Sequence, residues 1–285
     1  MKHNIKDGND DDDEKNILLL SKRQRKRLAK KLKWESRKHE KRLKERARKK
    51  QRIDEAKSCN IKLGPSRKEL KHSKMILSKC KTSIVIDLSF DELMSNKDLN
   101  KVIKQTLRVY SLNRRSSTPV QLYLTSFNGL IENEIQKHDG YQNWDINFKT
   151  ESYLSIFNSN KDKLIYLTSD SDHIINELYD DHIYIIGGLV DHNQHKGLCY
   201  KLACDNNIKH GQLPINQYIQ MRTRKVLTID QVFEILLRVI EGSSWKESFL
   251  KVIPERKGAI EVDAADTADE DADAGLDDVN VNVKT

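Results

Sequence analysis

Charge is segregated along this 285-residue chain, and the segregation limits where a hydrophobic core can form. Lys and Arg fill about half of the positions in residues 22–57, whereas acidic residues dominate both ends of the chain. Segments of such composition bury too little apolar surface to fold alone. The middle of the chain must therefore supply the core of one sizeable domain, although the whole sequence averages only 37% hydrophobic residues.

The basic segment is predicted to be one long solvated helix. Gly and Pro are absent from residues 22–57, helix formers dominate, and Ser21 can act as the N-cap. Leu28 and Leu32 do not extend into a heptad seam, which disfavours a coiled coil. Because its many positive charges repel one another unless phosphates neutralise them, and Trp34 is its only aromatic residue, we expect it to contact nucleic-acid phosphates without reading sequence.

Short β-branched runs alternate with helical segments in the middle of the chain, a pattern typical of an α/β domain with a mostly parallel sheet. The predicted strands are residues 83–88, 120–125, 164–168 and 182–186. The predicted helices include residues 97–113 and 229–241, and a further helix begins near Trp245. The predicted segments are a disordered acidic N-terminus at 1–21, a basic helical arm at 22–57, a linker at 58–82, the α/β domain at 83–257 and a disordered acidic tail at 258–285.

The cysteines and the hydropathy of the chain indicate in which cellular compartment the protein is located. The four cysteines form no recognisable disulfide framework, no signal peptide opens the chain, and no apolar run approaches the ~20 residues of a membrane span. We therefore expect a soluble protein with no membrane partner, located in the cytoplasm and nucleus.

The segment from Ile185 to Gly197 carries the strongest signal for a site. It leaves a predicted strand through Gly187 and Gly188 and then presents acidic, amide and imidazole side chains. Glycines at the carboxyl end of a strand allow backbone to approach a ligand closely, at the sheet edge where α/β proteins bind ligands. They can equally make only a tight turn. Motifs for dinucleotides, the P-loop, kinases and the nucleophile elbow are absent from the sequence.

Asp191 is a candidate base or hydrogen-bond anchor, and it can also serve as an Asx-turn residue. A helix N-cap is favoured over a ligand loop for Thr168, whereas Thr228 can cap a helix while the residues before it face a pocket.

A zinc site is the remaining possibility for this region. His192, His195, Cys199 and Cys204 are residue types that bind zinc, but their spacing matches no familiar zinc motif. We therefore predict no metal site.

Several blocks, in order, resemble the tRNA guanine-9 N1-methyltransferases of the SPOUT class. The blocks are VIDLSFDELM at 85–94, LTSDS at 167–171, YIIGGLVDHN at 184–193, LPI at 213–215, RKVLT at 224–228, QVFEIL at 231–236 and IPERKG at 253–258. The resemblance implies a SPOUT-type fold whose C-terminal part forms a trefoil knot, a monomer, and tRNA as the partner.

The resemblance also implies a site. S-adenosylmethionine would lie bent among three knot loops, with Asp191 as the candidate proton acceptor in methylation of guanine N1. The cofactor-binding residues carried over are Leu167, Gly187, Asp191, His192, Asn193, Gln194, His195, Cys199, Leu213, Lys225, Val226 and Leu227.

Two other functions remain open at this point. One is a noncatalytic basic RNA-binding protein whose glycine turn is structural. The other is a metal-dependent nuclease that uses Asp87, Asp91 and Asp170.

Overall fold

A computed structural model describes residues 21–61, 64–192, 194–220, 226–254 and 260–261. The chain divides into two compact units, Met1–Gly64 and Pro65–Thr285. The first unit contains one helix, α1 (Lys22–Ser58), among its described residues. The second contains the sheet and the candidate site.

Helix α1 begins at a capping box. The Ser21 hydroxyl accepts a hydrogen bond from the backbone amide of Gln24, and the Gln24 side chain accepts one from the amide of Ser21. Leu32, Trp34 and Leu43 are exposed, and Lys or Arg side chains cover most of the remaining surface. The helix therefore has the solvated, strongly basic surface that its composition predicts.

A six-stranded sheet forms the centre of the second unit. Its strands are β1 (Ser83–Asp87), β2 (Gln121–Thr125), β3 (Asn147–Phe148), β4 (Leu164–Leu167), β5 (Ile183–Gly187) and β6 (Lys209–Gly211). Their order is β3-β2-β1-β5-β4-β6, and every pairing is parallel. All five residues of β1 are buried, as expected for a central parallel strand with both faces covered. The predicted α/β class with a mostly parallel sheet is confirmed.

The helices of the second unit begin with α2 (Arg67–His72), α3 (Asn96–Arg115), α4 (Gly129–Ile135) and α5 (Tyr153–Ile156). They continue with α6 (Leu198–Asp205), α7 (Ile215–Tyr218), α8 (Ile229–Ile240) and α9 (Trp245–Val252), and four short 3-10 turns lie at 75–77, 91–93, 141–143 and 158–163. Helix α3 packs on α8, and α8 packs on α9. Val102 and Val109 of α3 and Phe233 and Leu236 of α8 are fully buried, so one apolar stripe of each helix faces the core.

The predicted linker at 58–82 differs from the structure, because its C-terminal part packs into the body. Met75 and Cys80 are buried in the main core. The amide of Met75 donates to Asp145 Oδ2 over 2.7 Å, and the side chain of Gln121 donates to the carbonyl of Met75 over 2.8 Å. The ordered body therefore begins before Ser83.

Two further predictions need correction. Ile260–Glu261 forms a strand, β8, that pairs antiparallel with β7 (Ile219–Gln220), so these two residues are not disordered as predicted for 258–285. Thr168 does not cap a helix, because residues 169–182 contain none; its hydroxyl instead accepts from the amide of Asp170 over 3.3 Å in a turn. The rest of the predicted disordered segments lies outside the described residues, except Ser21, the N-cap of α1.

Candidate active site

A cavity of about 1210 Å³ opens at the carboxyl ends of β4, β5 and β6. Four chain segments line it: the turn after β4, the loop from Gly187 to Cys199, and the two stretches 211–216 and 226–232. Lys101 and Gln105 of α3 complete the wall. Open α/β sheets bind ligands at this edge, where loops from neighbouring strands converge.

The glycine turn after β5 lies directly against the backbone of β1. The amide of Gly188 donates to the carbonyl oxygen of Asp87 over 2.7 Å. A Cβ atom on Gly188 would lie 2.5 Å from that oxygen, and one on Gly187 would lie 2.8 Å from the Cys199 sulfur. The turn therefore requires glycine at 188, where the obstacle is backbone, whereas a side chain at 187 would press on the Cys199 side chain; Gly187 borders the cavity.

Asp191 is oriented by the loop that carries it. Its Oδ2 atom accepts a hydrogen bond from the amide of His195 over 2.7 Å, and its carbonyl accepts one from Gln194 over 3.2 Å. The residue is half-buried and borders the cavity. Asp191 therefore closes a turn and also borders the cavity, and its role as a base stays a prediction.

A buried polar cluster, centred on the Asp87 carboxyl, lies next to the glycine turn. The Tyr166 hydroxyl donates to Asp87 Oδ2 over 3.0 Å, and the amide of Ser89 donates to Oδ1 over 3.2 Å. Burial raises the pKa of the Asp87 carboxyl and holds that of Tyr166 well above its ordinary value. Burial also raises the pKa of Cys199 to about 11, so its thiol stays protonated and suits a wall better than a nucleophile.

The Asp87→Asn variant should flatten the pH dependence of stability. A carboxyl whose pKa is raised by folding stabilises the folded state fully below its unfolded pKa, and that contribution falls as pH rises through the folded pKa. Asn resembles the protonated carboxyl because it offers one acceptor and one donor. In urea unfolding from pH 4 to pH 8, the variant should gain stability relative to wild type as pH rises. Parallel curves would contradict this, and Asp162→Asn, at an exposed position, is the control.

A second carboxylate joins two of the cavity loops. Asp170, in the turn after β4, accepts a hydrogen bond through Oδ2 from the amide of Gly197 over 3.2 Å. The same oxygen lies 3.4 Å from the Thr168 hydroxyl. Asp170 therefore links the turn after β4 to the end of the loop that contains Asp191.

Most of the predicted cofactor-binding residues border this one cavity. Nine of them line it: Leu167, Gly187, Asp191, His192, His195, Cys199, Leu213, Val226 and Leu227. Gln194 is described but does not line the cavity, and Asn193 and Lys225 lie outside the described residues. Thr228 is the N-cap of α8, where its amide donates to the Gln231 side chain over 3.1 Å, and Val226 and Leu227 before it border the cavity.

Sequence reasoning missed the contribution of α3. Lys101 and Gln105 lie one helical turn apart and share a face. The Gln105 side chain accepts from the amide of Ile229 over 2.9 Å, which fixes α3 against the start of α8. The i, i+4 spacing of two polar residues was the available signal, but only the packing of α3 on α8 brings them to the cavity.

The candidate metal ligands do not form a cluster. Within the described part of the chain, no three His, Cys, Asp or Glu side chains lie close enough to hold a metal ion. Asp87 accepts from Tyr166, Asp170 accepts from Gly197, and Asp91 accepts from the amides of Leu130 and Ile131 at the start of α4. The three carboxylates considered for a nuclease therefore have separate structural partners.

None of the helices in the described ranges is both long enough and apolar enough to span a bilayer.

The sequence profile of one family covers most of the chain. The family described as tRNA (guanine(9)-N(1))-methyltransferase TRM10/TRM10A matches residues 19–258. The chain belongs to this family. The resemblance inferred from the separate sequence blocks is thereby confirmed.

Several members of the family are similar to the chain over long stretches. The tRNA (guanine(9)-N1)-methyltransferase of Schizosaccharomyces pombe is 39% identical over 84% of this chain and 80% of its own length. The tRNA methyltransferase 10 homolog A of Homo sapiens is 48% identical over 64% of this chain and 54% of its own length, and that of Xenopus tropicalis is 43% identical over 74% and 66%. The alignments thus span only about half to two thirds of these vertebrate relatives.

A solved structure of this family has the same fold. Full-length spTrm10, crystallised as an SAH complex, is 42% identical and superposes with a TM-score of 0.58 over 64% of this chain and 99% of its own. The SPOUT-type α/β fold is therefore confirmed. The trefoil knot stays a prediction.

Proposed function

We propose that this protein transfers a methyl group from S-adenosylmethionine to N1 of the guanine at position 9 of tRNA. The observation that carries the proposal is the cavity at the carboxyl edge of the sheet, which Asp191 borders, in a chain of the TRM10/TRM10A family. The names of the S. pombe and vertebrate relatives and the SAH complex of spTrm10 support the same reaction.

The cavity suits a ligand with both apolar and polar parts. Leu167, Leu213, Val226 and Leu227 supply apolar surface for an adenine ring, while the backbone at Gly187 can approach the ligand closely. The cofactor supplies an activated methyl group on a sulfonium. These residues would bind and orient the cofactor, so that the methyl carbon lies in line between sulfur and the incoming N1.

Asp191 is proposed to remove the proton that guanine N1 carries. Transfer of a methyl cation to neutral N1 must be accompanied by loss of that proton, and a carboxylate within hydrogen-bond reach can accept it. The amide of His195 holds one carboxylate oxygen, which limits rotation of the side chain.

Helix α1 is proposed to bind the phosphate backbone of tRNA. Its Lys and Arg residues provide charge along its whole length, and its few apolar side chains offer little for base readout. The second unit, which contains the cavity, would then determine which base is methylated, while α1 contributes affinity for tRNA.

Deletion of residues 1–57 should weaken tRNA binding and make its salt dependence shallower. The slope of log affinity against log salt is negative, and each lost phosphate contact reduces its magnitude by about 0.9. A full-length variant with Lys30, Lys31, Arg37, Lys41 and Lys44 changed to Gln keeps a helix-forming sequence and should show the same trend in part. Equal slopes for all three proteins would contradict the proposed role, and unchanged SAH affinity is the control for an intact body.

We further propose that the protein works as a monomer, as the family resemblance implies. Light scattering at micromolar concentration should give the mass of one chain, 33.2 kDa. A stable dimer would contradict this.

A noncatalytic RNA-binding protein is the second candidate, because the basic surface of α1 would serve it equally well. Isothermal titration with SAH, with and without EDTA, separates the candidates. The methyltransferase should bind SAH equally in both conditions. A protein that binds tRNA but does not bind SAH would favour the noncatalytic candidate. A protein that binds tRNA and cleaves it in a chelator-sensitive way would favour a nuclease.

A further inference from the structure

Lys101 is braced at the wall of the cavity by two side chains. Its Nζ atom lies 2.8 Å from Asp98 Oδ1, one turn earlier on α3, and 2.9 Å from His192 Nε2, in the loop after β5. Lys101 and His192 both border the cavity. The contact therefore joins α3 to the loop that carries Asp191.

Asp98 is itself held in place. The Ser95 hydroxyl lies 2.5 Å from Asp98 Oδ2 and accepts from the amide of Asp98 over 3.3 Å. Hydrogen bonds from Lys101 and Ser95 keep the pKa of Asp98 well below its ordinary value, so the carboxylate stays ionised. Ser95 thus orients Asp98, and Asp98 orients the ammonium group of Lys101.

His192 contacts the same pair, because its Nε2 atom lies 2.9 Å from Lys101 Nζ and 3.2 Å from Asp98 Oδ1, so the three side chains form one cluster. An ammonium group only donates hydrogen bonds, so contact with Lys101 requires Nε2 to be the acceptor. His192 has a φ of 55°, in the left-handed region that is unfavourable for a residue other than glycine. The loop keeps this unfavourable backbone geometry while the His192 side chain contacts α3.

We propose that Lys101 binds an anionic group of the ligands that enter this cavity. The ammonium has three N–H donors, and Asp98 and His192 accept at most two of them, so at least one is available to a carboxylate or phosphate oxygen. The inference rests on the proposed function, which brings two such groups: the carboxylate of the methionine moiety of the cofactor, and a phosphate of the tRNA. Because contacts with Asp98 and His192 already restrict the Lys101 side chain, less side-chain entropy is lost when the anion binds.

The test compares Lys101→Met and Lys101→Arg with Lys104→Met. Lys104 lies on the same helix, is exposed, and does not line the cavity, so its variant controls for the loss of one positive charge. Isothermal titration with SAH and with methylthioadenosine, which lacks the amino-acid moiety, is combined with tRNA affinity measured across salt concentrations.

If Lys101 binds the carboxylate, Lys101→Met should lower SAH affinity about tenfold and leave methylthioadenosine affinity unchanged. If it binds a phosphate, both small ligands should bind normally, and tRNA affinity should fall more than in Lys104→Met. Lys101→Arg should restore part of either loss, because it keeps the charge.

Equal affinities of Lys101→Met and Lys104→Met for all three ligands would overturn the inference. So would an equal loss for SAH and methylthioadenosine, which would indicate a distorted cavity. A wild-type protein that binds neither SAH nor tRNA would instead overturn the proposed function, and this inference with it.

Discussion

The Asp191→Asn variant is expected to slow single-turnover methyl transfer about 100-fold or more, while SAH affinity stays within about twofold of wild type. Asn keeps the shape of the side chain, and its oxygen can still accept the hydrogen bond from the His195 amide that holds Asp191. The loop geometry is therefore retained. The amide cannot take up a full proton from guanine N1, so the chemical step alone is impaired.

The pH profile separates a base from a group that only orients the substrate. Without an internal base, the N1 proton must leave to solvent, so the rate of Asp191→Asn should rise toward alkaline pH more steeply than that of wild type. Asp205→Asn, at the exposed end of α6 and away from the cavity, is the matched control. An unchanged rate and profile in Asp191→Asn would show that Asp191 is not the base.

The Gly188→Ala variant is expected to lose SAH affinity by about tenfold or more and to unfold at lower urea concentration. The added methyl group would lie 2.5 Å from the carbonyl oxygen of Asp87 and 2.8 Å from Leu88 Cδ2. Backbone of a fully buried central strand cannot move away, so the turn after β5 must shift instead. That shift displaces Gly187 and the loop of Asp191 from the cavity wall. Gly188→Val should abolish binding altogether.

Two other glycines provide graded comparisons. An alanine at Gly187 would meet the Cys199 sulfur at 2.8 Å, the end of a side chain, so its effect on stability should be smaller than at Gly188. Gly64→Ala is the control, because nothing lies within 4 Å of the position of its Cβ. A folded Gly188→Ala variant that binds SAH normally would mean that the cofactor site is placed wrongly.

Local sequence patterns were sufficient for the four inner strands of the sheet and for α3, α8 and α9, but they missed the short outer strands β3 and β6. The β-branched run at 83–88 and the amphipathic stretch at 229–241 each differ from the observed element, β1 and α8, by one residue at the C-terminal end. Both are buried segments whose periodicity reflects the core directly. The glycine turn was also visible, since glycines at a strand end have few other uses.

Features set by tertiary contacts were not predictable in this way. Thr168 precedes polar residues as an N-cap would, but Ile174 in the following loop pairs with Gln212, and that pairing replaces a helix. Met75 lies in a polar stretch, and its burial depends on partners far along the chain: Asp145 and Gln121 bond its backbone, and the amide of Leu122 contacts its sulfur. Lys101 reaches the cavity through the packing of α3 on α8, which no local pattern encodes.

Mapping of the methylated nucleotide tests the central claim most directly. Purified protein would be incubated with S-adenosylmethionine and a tRNA transcript that carries guanine at position 9, beside a transcript with cytosine there. We predict one N1-methylguanine per tRNA at nucleotide 9, detected by a primer-extension stop and by mass spectrometry of nuclease fragments, and none in the cytosine transcript. Absence of methyl transfer, or a methyl group at another nucleotide or another atom of guanine 9, would contradict the account.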